Sequence, residues 1–105
     1  MTNSTSSRRA QDELLARIER RDVVVGIMGL GYVGLPLALQ LSDCGYRILG
    51  FDVSQGTVDG INSGRSHIQD ISSDELGTRV RDGVVSATTD MSRLGECDAI
   101  CVCVP

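Results

Sequence analysis

The sequence predicts an α/β fold built on a doubly wound parallel sheet, and three observations support this prediction. Strand-like and helix-like segments alternate along the 105 residues, as they do in a parallel sheet with helical crossovers. Two strand-like segments, residues 23–28 and 98–104, are apolar on both faces, which is typical of strands buried between two layers. A glycine-rich turn joins the first of them to a helix. Only four strands can be recognised, so we expect a sheet that is incomplete at its C-terminal side.

The N-terminal residues predict a flexible tail followed by a short helix. Residues 1–9 are rich in Ser, Thr, Asn and Arg, a composition that is typical of a mobile terminus, and the domain is expected to occupy residues 10–105. Between residues 10 and 19 the apolar positions fall on one helical face: Leu14, Leu15 and Ile18. We expect this face to pack against the body that follows.

The remaining elements follow in chain order. Gly45 is a suitable helix stop because glycine adopts the left-handed conformation easily, and Ser54 and Ser72 are suitable N-caps. The predicted elements are a strand at 23–28, a helix from 35 to the stop at Gly45, a strand at 47–53, helices at 55–62 and 73–81, a strand at 84–87, a helical turn at 91–94 and a strand at 98–104.

Charge and hydropathy exclude several partners and compartments. Ten basic residues, all Arg, and fourteen acidic residues leave a net charge of −4, which argues against nucleic acid or an anionic membrane surface as a partner. No apolar run approaches the ~20 residues of a membrane-spanning helix. No apolar signal core follows the pair Arg8-Arg9, so we expect a cytoplasmic protein.

The four cysteines, at positions 44, 97, 101 and 103, indicate neither a disulfide framework nor a metal site. In a reducing cytoplasm disulfides are rare, and the spacing lacks the paired Cys-x-x-Cys elements of a zinc site. His67 is a poor ligand candidate for the same reason. The cysteines are therefore expected to be small buried side chains, and no metal is predicted.

The strongest functional signal is Gly29-Leu30-Gly31-Tyr32-Val33-Gly34, placed between a buried strand and a helix. In a dinucleotide-binding turn the first glycine permits the tight turn, the second allows the pyrophosphate to approach the backbone, and the third lets the helix lie close to the strand. Amides near 31–33 would then point at the phosphates from the positive end of the helix dipole. The alternative is an ordinary strand–helix turn that binds nothing.

Asp52 stands at the end of the second strand, eighteen residues after Gly34. In Rossmann-type folds an acid at this position accepts hydrogen bonds from the adenosine ribose hydroxyls. Its charge would repel a 2′-phosphate, and residues 53–57 contain no cation to neutralise one. NAD is therefore favoured over NADP, although an acid in a solvated loop is the alternative interpretation.

Two further side chains invite a catalytic interpretation. Tyr32 lies inside the glycine turn, where a tyrosine more often shields the pyrophosphate or packs nearby. Residues 65–67, which include His67, follow the second helix of the sheet region and could point toward the substrate, but an ordinary surface loop is the commoner explanation. No nucleophile with an adjacent base is apparent elsewhere.

The segment from Gly26 to Ala38, GIMGLGYVGLPLA, resembles the opening of the UDP-glucose/GDP-mannose dehydrogenase family, and the extension GYVGLP is more specific than the glycines alone. Other similar segments are Gly50-Phe51-Asp52-Val53, Ile61-Asn62-Ser63-Gly64, Ala87-Thr88-Thr89-Asp90 and Cys103-Val104-Pro105. The helix before the first strand is similar to the branch acting on UDP-N-acetylglucosamine. The chain departs from the family at Thr57, where a lysine near the adenosine ribose is usual.

The resemblance implies an NAD-binding domain of a nucleotide-sugar 6-dehydrogenase, which oxidises the C6 alcohol of a UDP-sugar to a carboxylate in two hydride transfers. The family's catalytic Cys, Lys and Asn lie in a downstream part that these 105 residues do not match, so no catalytic residue is assigned and the chain alone is expected to be inactive. The cofactor-binding residues implied are Gly29, Leu30, Gly31, Tyr32, Val33, Gly34, Asp52, Val53, Val104 and Pro105.

Two other functions and one assembly remain open at this point. A non-catalytic dinucleotide-sensing domain, as in the regulation of potassium uptake, also begins with a strand, a glycine turn and a strand-end acid. A truncated, inactive remnant of a dehydrogenase is a further possibility. The last strand, at 98–104, needs cover on both faces, so we expect an exposed apolar patch and a homo-oligomer.

Overall fold

The computed structural model describes residues 3–104, with side chains from Arg8 onward, and within them it shows a four-stranded parallel sheet. The strand order is β3-β2-β1-β4, which confirms the predicted α/β class. The elements are α1 (Asn3–Glu19), β1 (Val24–Met28), α2 (Gly34–Asp43), β2 (Arg47–Phe51), α3 (Gln55–Asn62), α4 (Ser73–Arg81), β3 (Val85–Thr88), a 3₁₀ turn (Met91–Glu96) and β4 (Ala99–Val102).

The core lies between the sheet and the layer formed by α2, α3 and α4, which contact one another and the strands. Ile27 of β1, Ile48 of β2 and Leu35 of α2 are almost completely buried in this core. The β-branched and apolar run of β1 lies between β2 and β4, where its backbone groups are paired on both sides. Burial of these side chains stabilises the fold by about 25 cal/mol for each Å² of apolar surface removed from water.

The helix boundaries agree with the predicted caps. The Ser54 and Ser72 hydroxyls accept hydrogen bonds from the amides of Thr57 and Glu75, at 3.2 and 3.1 Å. β2 ends at Phe51, two residues earlier than predicted. The reason is that the Asp52 carboxylate accepts the Ser54 amide at 2.9 Å, which turns the chain into the cap of α3.

One expectation about the N-terminus is wrong, and the flexibility of residues 1–9 stays a prediction. The helix α1 begins at Asn3, so residues 3–9 belong to a helix. The predicted apolar face does not pack on the sheet, because Leu14, Leu15 and Ile18 are 41%, 57% and 39% exposed. Residues 1 and 2 lie outside the described residues.

No described helix is both long and apolar enough to cross a membrane.

The end of α1 is instead attached to the sheet through Asp98, which immediately precedes β4. The Arg17 guanidinium donates two hydrogen bonds of 2.9 Å to the two Asp98 carboxylate oxygens. One of these oxygens also accepts the Val24 amide at 2.9 Å. The Val24 amide, followed by Arg17, holds the pKa of Asp98 below its ordinary value. One carboxylate therefore joins α1, β1 and β4.

We expect Asp98→Ala to lower the free energy of unfolding by about 1–3 kcal/mol, because an amide and a guanidinium lose their charged acceptor. Since the folded pKa lies below the ordinary value of 3.8, this stabilisation is complete above that pH and disappears as the pH falls through the folded pKa. Denaturant unfolding at neutral and acid pH measures both effects, with the exposed α1 acid in Asp12→Ala as control. A difference between wild type and Asp98→Ala that does not shrink as the pH is lowered below 3.8 would contradict the assignment.

Candidate functional site

A groove of about 560 Å³ lies at the carboxyl ends of β1, β2 and β4. On one side of β1 lies β2, the next strand along the chain, and on the other side lies β4, so the direction in which strands are added reverses at β1. Such a reversal of strand order is where open α/β sheets bind their ligands. The groove is lined by Gly29, Leu30, Gly31, Tyr32, Val33, Asp52, Val53, Cys103 and Val104.

The glycine turn has the geometry that its three glycines predict. Gly29 has φ +94°, a conformation that glycine adopts without strain. A Cβ on Gly34 would overlap the carbonyl oxygen of Gly29, so the first turn of α2 can lie against the end of β1 only without a side chain there. A Cβ on Gly31, in contrast, would meet nothing within 4 Å. The bare backbone at Gly31 faces open space.

Three successive amides of this turn are available to a ligand. Within the described residues the backbone N–H groups of Gly31, Tyr32 and Val33 make no hydrogen bond. They stand at the start of α2, whose own N-cap position, Val33, supplies no side-chain acceptor. Unpaired amides at a helix N-terminus favour an anion through both hydrogen bonding and the helix dipole. The turn can therefore hold a phosphate or pyrophosphate group.

The half-buried side chain of Asp52 is fixed at the edge of the groove by two backbone amides. Its Oδ2 accepts the Leu30 amide at 3.0 Å, and its Oδ1 accepts the Ser54 amide at 2.9 Å. A carboxylate has about four acceptor positions, so each oxygen retains one for a ligand hydroxyl. Asp52 can consequently anchor the glycine turn and bind a diol at the same time.

The rim of the groove is apolar and exposed. Tyr32, Val33, Val53 and Val104 are 81%, 66%, 88% and 52% exposed, which is unusual for large apolar side chains gathered in one place. Exposed apolar clusters of this kind commonly mark a ligand-binding surface. Tyr32 stands out into solvent and does not pack on the protein, so its shielding role stays a prediction.

The groove brings together eight of the ten predicted cofactor-binding residues. Of the other two, Gly34 lies beneath the turn, where it sets the position of α2, and Pro105 lies outside the described residues. Two lining residues were not among those predicted: Cys103 lines the groove, and Met91 lines a smaller adjoining cavity of about 140 Å³. The position of Cys103 beside Val104 at a strand end could have indicated the first; nothing in the sequence indicates the second.

Among the described residues, the remaining candidates form no recognisable catalytic arrangement. Within the part of the chain that the structure describes, the four cysteines are free thiols. Burial, and then Glu96 and Asp98, raise the pKa of the Cys97 thiol, which disfavours the reactive thiolate. His67 contacts the glycine turn, since its Nε2 lies 2.8 Å from the Leu30 carbonyl oxygen. A second groove, of about 320 Å³ and lined by Arg17, Arg21 and Arg47, lies at the opposite, amino-terminal ends of the strands.

We expect Gly31→Val to abolish dinucleotide binding while leaving the midpoint of thermal unfolding within about 2 °C of wild type, because its Cβ meets only open space in the protein. The matched variant Gly34→Ala should instead lower that midpoint sharply, since its Cβ would collide with the Gly29 carbonyl. Calorimetric titration with NAD and a thermal melt separate the two effects. Wild-type binding by Gly31→Val would mean that the glycine segment is only a turn.

Curated proteins similar to this chain are enzymes of one kind. The chain is 38% identical over 82 residues to NDP-N-acetyl-D-galactosaminuronic acid dehydrogenase of Ralstonia nicotianae. It is 39% identical over 82 residues to UDP-N-acetyl-D-mannosamine dehydrogenase of Campylobacter jejuni. Each match covers 77% of this chain and 19% of the relative, so the chain spans about a fifth of the length of the relatives it matches.

Solved structures and a family model agree with these relatives. GDP-mannose dehydrogenase from Pseudomonas aeruginosa superposes with a TM-score of 0.72 at 36% identity, covering 77% of this chain and 19% of that one. UDP-D-ManNAc dehydrogenase from Pyrococcus horikoshii gives 0.72 at 29% identity, covering 77% and 20%. The model of the UDP-glucose/GDP-mannose dehydrogenase family, NAD binding domain, matches residues 23–105. The chain therefore belongs to this family, as its NAD-binding domain.

Proposed function

We propose that this chain is the part of a nucleotide-sugar 6-dehydrogenase that binds and orients NAD while the C6 alcohol of a UDP-sugar is oxidised to a carboxylate. The observation that carries the proposal is the glycine turn. Gly31, Tyr32 and Val33 line the groove at the end of β1, their amides make no hydrogen bond within the described residues, and Gly31 leaves open space beside the backbone. The family match over residues 23–105 favours this function over a non-catalytic dinucleotide sensor.

The proposed division of labour along the groove follows from its chemistry. The amides of residues 31–33 hold the pyrophosphate, and Gly31 leaves room for it. Asp52 accepts hydrogen bonds from the hydroxyls of the adenosine ribose. The apolar surroundings come from Leu30, Tyr32, Val33, Val53 and Val104. Gly34 supports the turn, and Pro105 completes the predicted set. When bound in this groove, NAD would supply the nicotinamide ring needed for hydride transfer.

The electrostatics around Asp52 support NAD over NADP. A 2′-phosphate would stand against the Asp52 carboxylate, and discrimination against it needs no further group. Residues 53–57, which follow Asp52 into α3, contain no Arg or Lys. Thr57, at the position where the family usually has lysine, has its amide bonded to the Ser54 hydroxyl at 3.2 Å and supplies no charge.

The proposed substrate is a UDP-linked N-acetylhexosamine. Two similar proteins carry names that specify N-acetylated sugar nucleotides, UDP-N-acetyl-D-mannosamine dehydrogenase and NDP-N-acetyl-D-galactosaminuronic acid dehydrogenase. The resemblance of the first helix to the UDP-N-acetylglucosamine branch agrees with this class. No residue of this chain is proposed to be catalytic, and the UDP-sugar is expected to bind a downstream domain.

We further propose that the protein is cytoplasmic and that these 105 residues form a homo-oligomer. The exposed edge of the sheet supports the second of these two proposals. On β4, Ile100 and Val102 are 45% and 65% exposed, and β4 is an edge strand of the sheet within the described residues. Unpaired edge strands with apolar side chains promote association. Sedimentation at several concentrations should show association that Ile100→Lys and Val102→Lys weaken; a wild-type monomer at all concentrations would contradict the proposal.

The role proposed for the acid at the end of β2 can be tested by cofactor binding. We expect Asp52→Ala to weaken NAD binding roughly 10- to 100-fold, because hydrogen bonds to a charged group contribute about 1.5–3 kcal/mol. Wild type should bind NADP more weakly than NAD. Calorimetric titration of both nucleotides measures this, with Asp59→Ala, an exposed acid on α3, as the control that keeps wild-type affinity. Equal affinities of wild type for NAD and NADP would contradict the role of Asp52.

The proposed dehydrogenase activity can be tested by NADH formation. We expect these 105 residues alone to form no NADH from NAD and UDP-N-acetylglucosamine or other UDP-sugars. The protein encoded by the complete reading frame should form two NADH for each sugar oxidised, because the conversion of an alcohol to a carboxylate removes two hydrides. NADH absorbance is the measurement. NADH formation by the 105 residues alone would place catalysis within them. An encoded protein that binds NAD but oxidises no UDP-sugar would favour the non-catalytic dinucleotide sensor.

A further inference from the structure

We propose that His67 is a positioning residue for the glycine turn, orienting the peptide that presents the Gly31 amide to the cofactor. This inference rests on the proposed NAD site and adds to it a residue from a distant segment. His67 lies between α3 and α4, 37 residues after Leu30 in the chain. Its imidazole Nε2 lies 2.8 Å from the Leu30 carbonyl oxygen.

The direction of this hydrogen bond determines the state of the imidazole. A carbonyl oxygen only accepts hydrogen bonds, so Nε2 must carry the proton. Both the neutral Nε2–H tautomer and the imidazolium satisfy this requirement. The bond is partly buried at the turn, although the His67 side chain as a whole is exposed. Water therefore competes only in part for this carbonyl.

The Leu30 carbonyl and the Gly31 N–H belong to the same planar peptide. In a trans peptide these two groups point in opposite directions, and no peptide bond among the described residues is cis. A hydrogen bond that draws the Leu30 oxygen toward His67 therefore turns the Gly31 N–H away from it. Gly31 contributes one of the three unpaired amides that line the groove, so His67 acts on that amide through Leu30.

Leu30 is held at two further points besides the contact with His67. Its own amide donates to Asp52 Oδ2 at 3.0 Å, which fixes the preceding peptide plane. Its side chain is 2% exposed and packs over Gly50 of β2, where an added Cβ would approach the Leu30 methyl groups to 2.7 Å. Asp52 and His67 thus fix two consecutive peptides while the Leu30 side chain anchors them to the core.

The segment that carries His67 is itself ordered. The preceding Ser66 accepts the Ile68 amide at 3.1 Å through its hydroxyl, which donates in turn to the Ile68 carbonyl at 2.9 Å. The Ser66 amide donates to the Ser73 hydroxyl at 3.1 Å, and Ile68 is buried in the core. The imidazole is therefore held out by a short loop that is fixed on both sides of it.

The experiment compares three substitutions of His67 that differ in where they place an N–H. The Gln side-chain amide reaches the position of Nε2, the shorter Asn amide does not, and Ala has no donor. We expect His67→Ala and His67→Asn to weaken NAD binding by about three- to tenfold, the effect of one lost hydrogen bond. His67→Gln should stay within about twofold of wild type. Gln69→Ala, an exposed neighbour in the same loop, is the control.

Two readouts without cofactor separate this role from a general loss of stability. Long-range nitrogen–proton NMR of wild type should show the proton on Nε2, and His67→Ala should move the Gly31 amide resonance and speed its exchange. The thermal midpoint should change equally little in all three variants. Wild-type NAD affinity of His67→Ala, or failure of His67→Gln to restore it, would overturn the proposal.

The same readouts distinguish this proposal from the one on which it rests. If wild type does not bind NAD, the proposed function fails. A proton on Nε2 and a displaced Gly31 amide in His67→Ala would then still support the positioning contact. A proton on Nδ1 alone, or an undisturbed Gly31 amide in His67→Ala, would overturn the His67 proposal even if NAD binds.

Discussion

The tight connection between β1 and α2 is the constraint on which the rest of the structure depends. The chain leaves a buried strand and starts a helix within five residues, which requires a positive φ at Gly29 and no side chain at Gly34. This close contact places the N-terminus of α2 directly over the end of β1. Because the first amides of a helix have no partner within it, the groove acquires its anion-binding groups from the fold itself.

The shape of this turn is held by residues that come from three separate segments. Leu30 lies within the turn, Asp52 follows β2, and His67 lies in the connection between α3 and α4. Asp52 therefore has two functions in the proposed site, since the carboxylate that would bind the ribose also bonds the Leu30 amide. Loss of this acid disturbs the phosphate-binding turn as well as the ribose, so its effect on binding combines both.

In the region around β4 the cysteines act as small packing side chains, and no reaction is assigned to them. The Cys97 sulfur lies so near Gly26 that a Cβ on that glycine would approach it to 2.8 Å, and Cys101 and Cys103 pack against the core. Small apolar thiols fit these positions well. The other side of the strand carries Ile100 and Val102, which remain exposed, and Asp98 ties its start to α1 through Arg17.

The sequence by itself determined the order of the elements, the caps at Ser54 and Ser72, the stop at Gly45 and most residues of the groove. These features depend on local chemistry: glycine conformations, serine hydroxyls within three residues of an amide, and apolar runs that need burial. The exposure of α1 and the joint at Asp98 were decided only by the tertiary structure, because they depend on contacts between residues far apart in the chain. The link from His67 to Leu30 is of the same kind, since a lone histidine in a polar loop carries no local signal of the carbonyl that the fold brings to it.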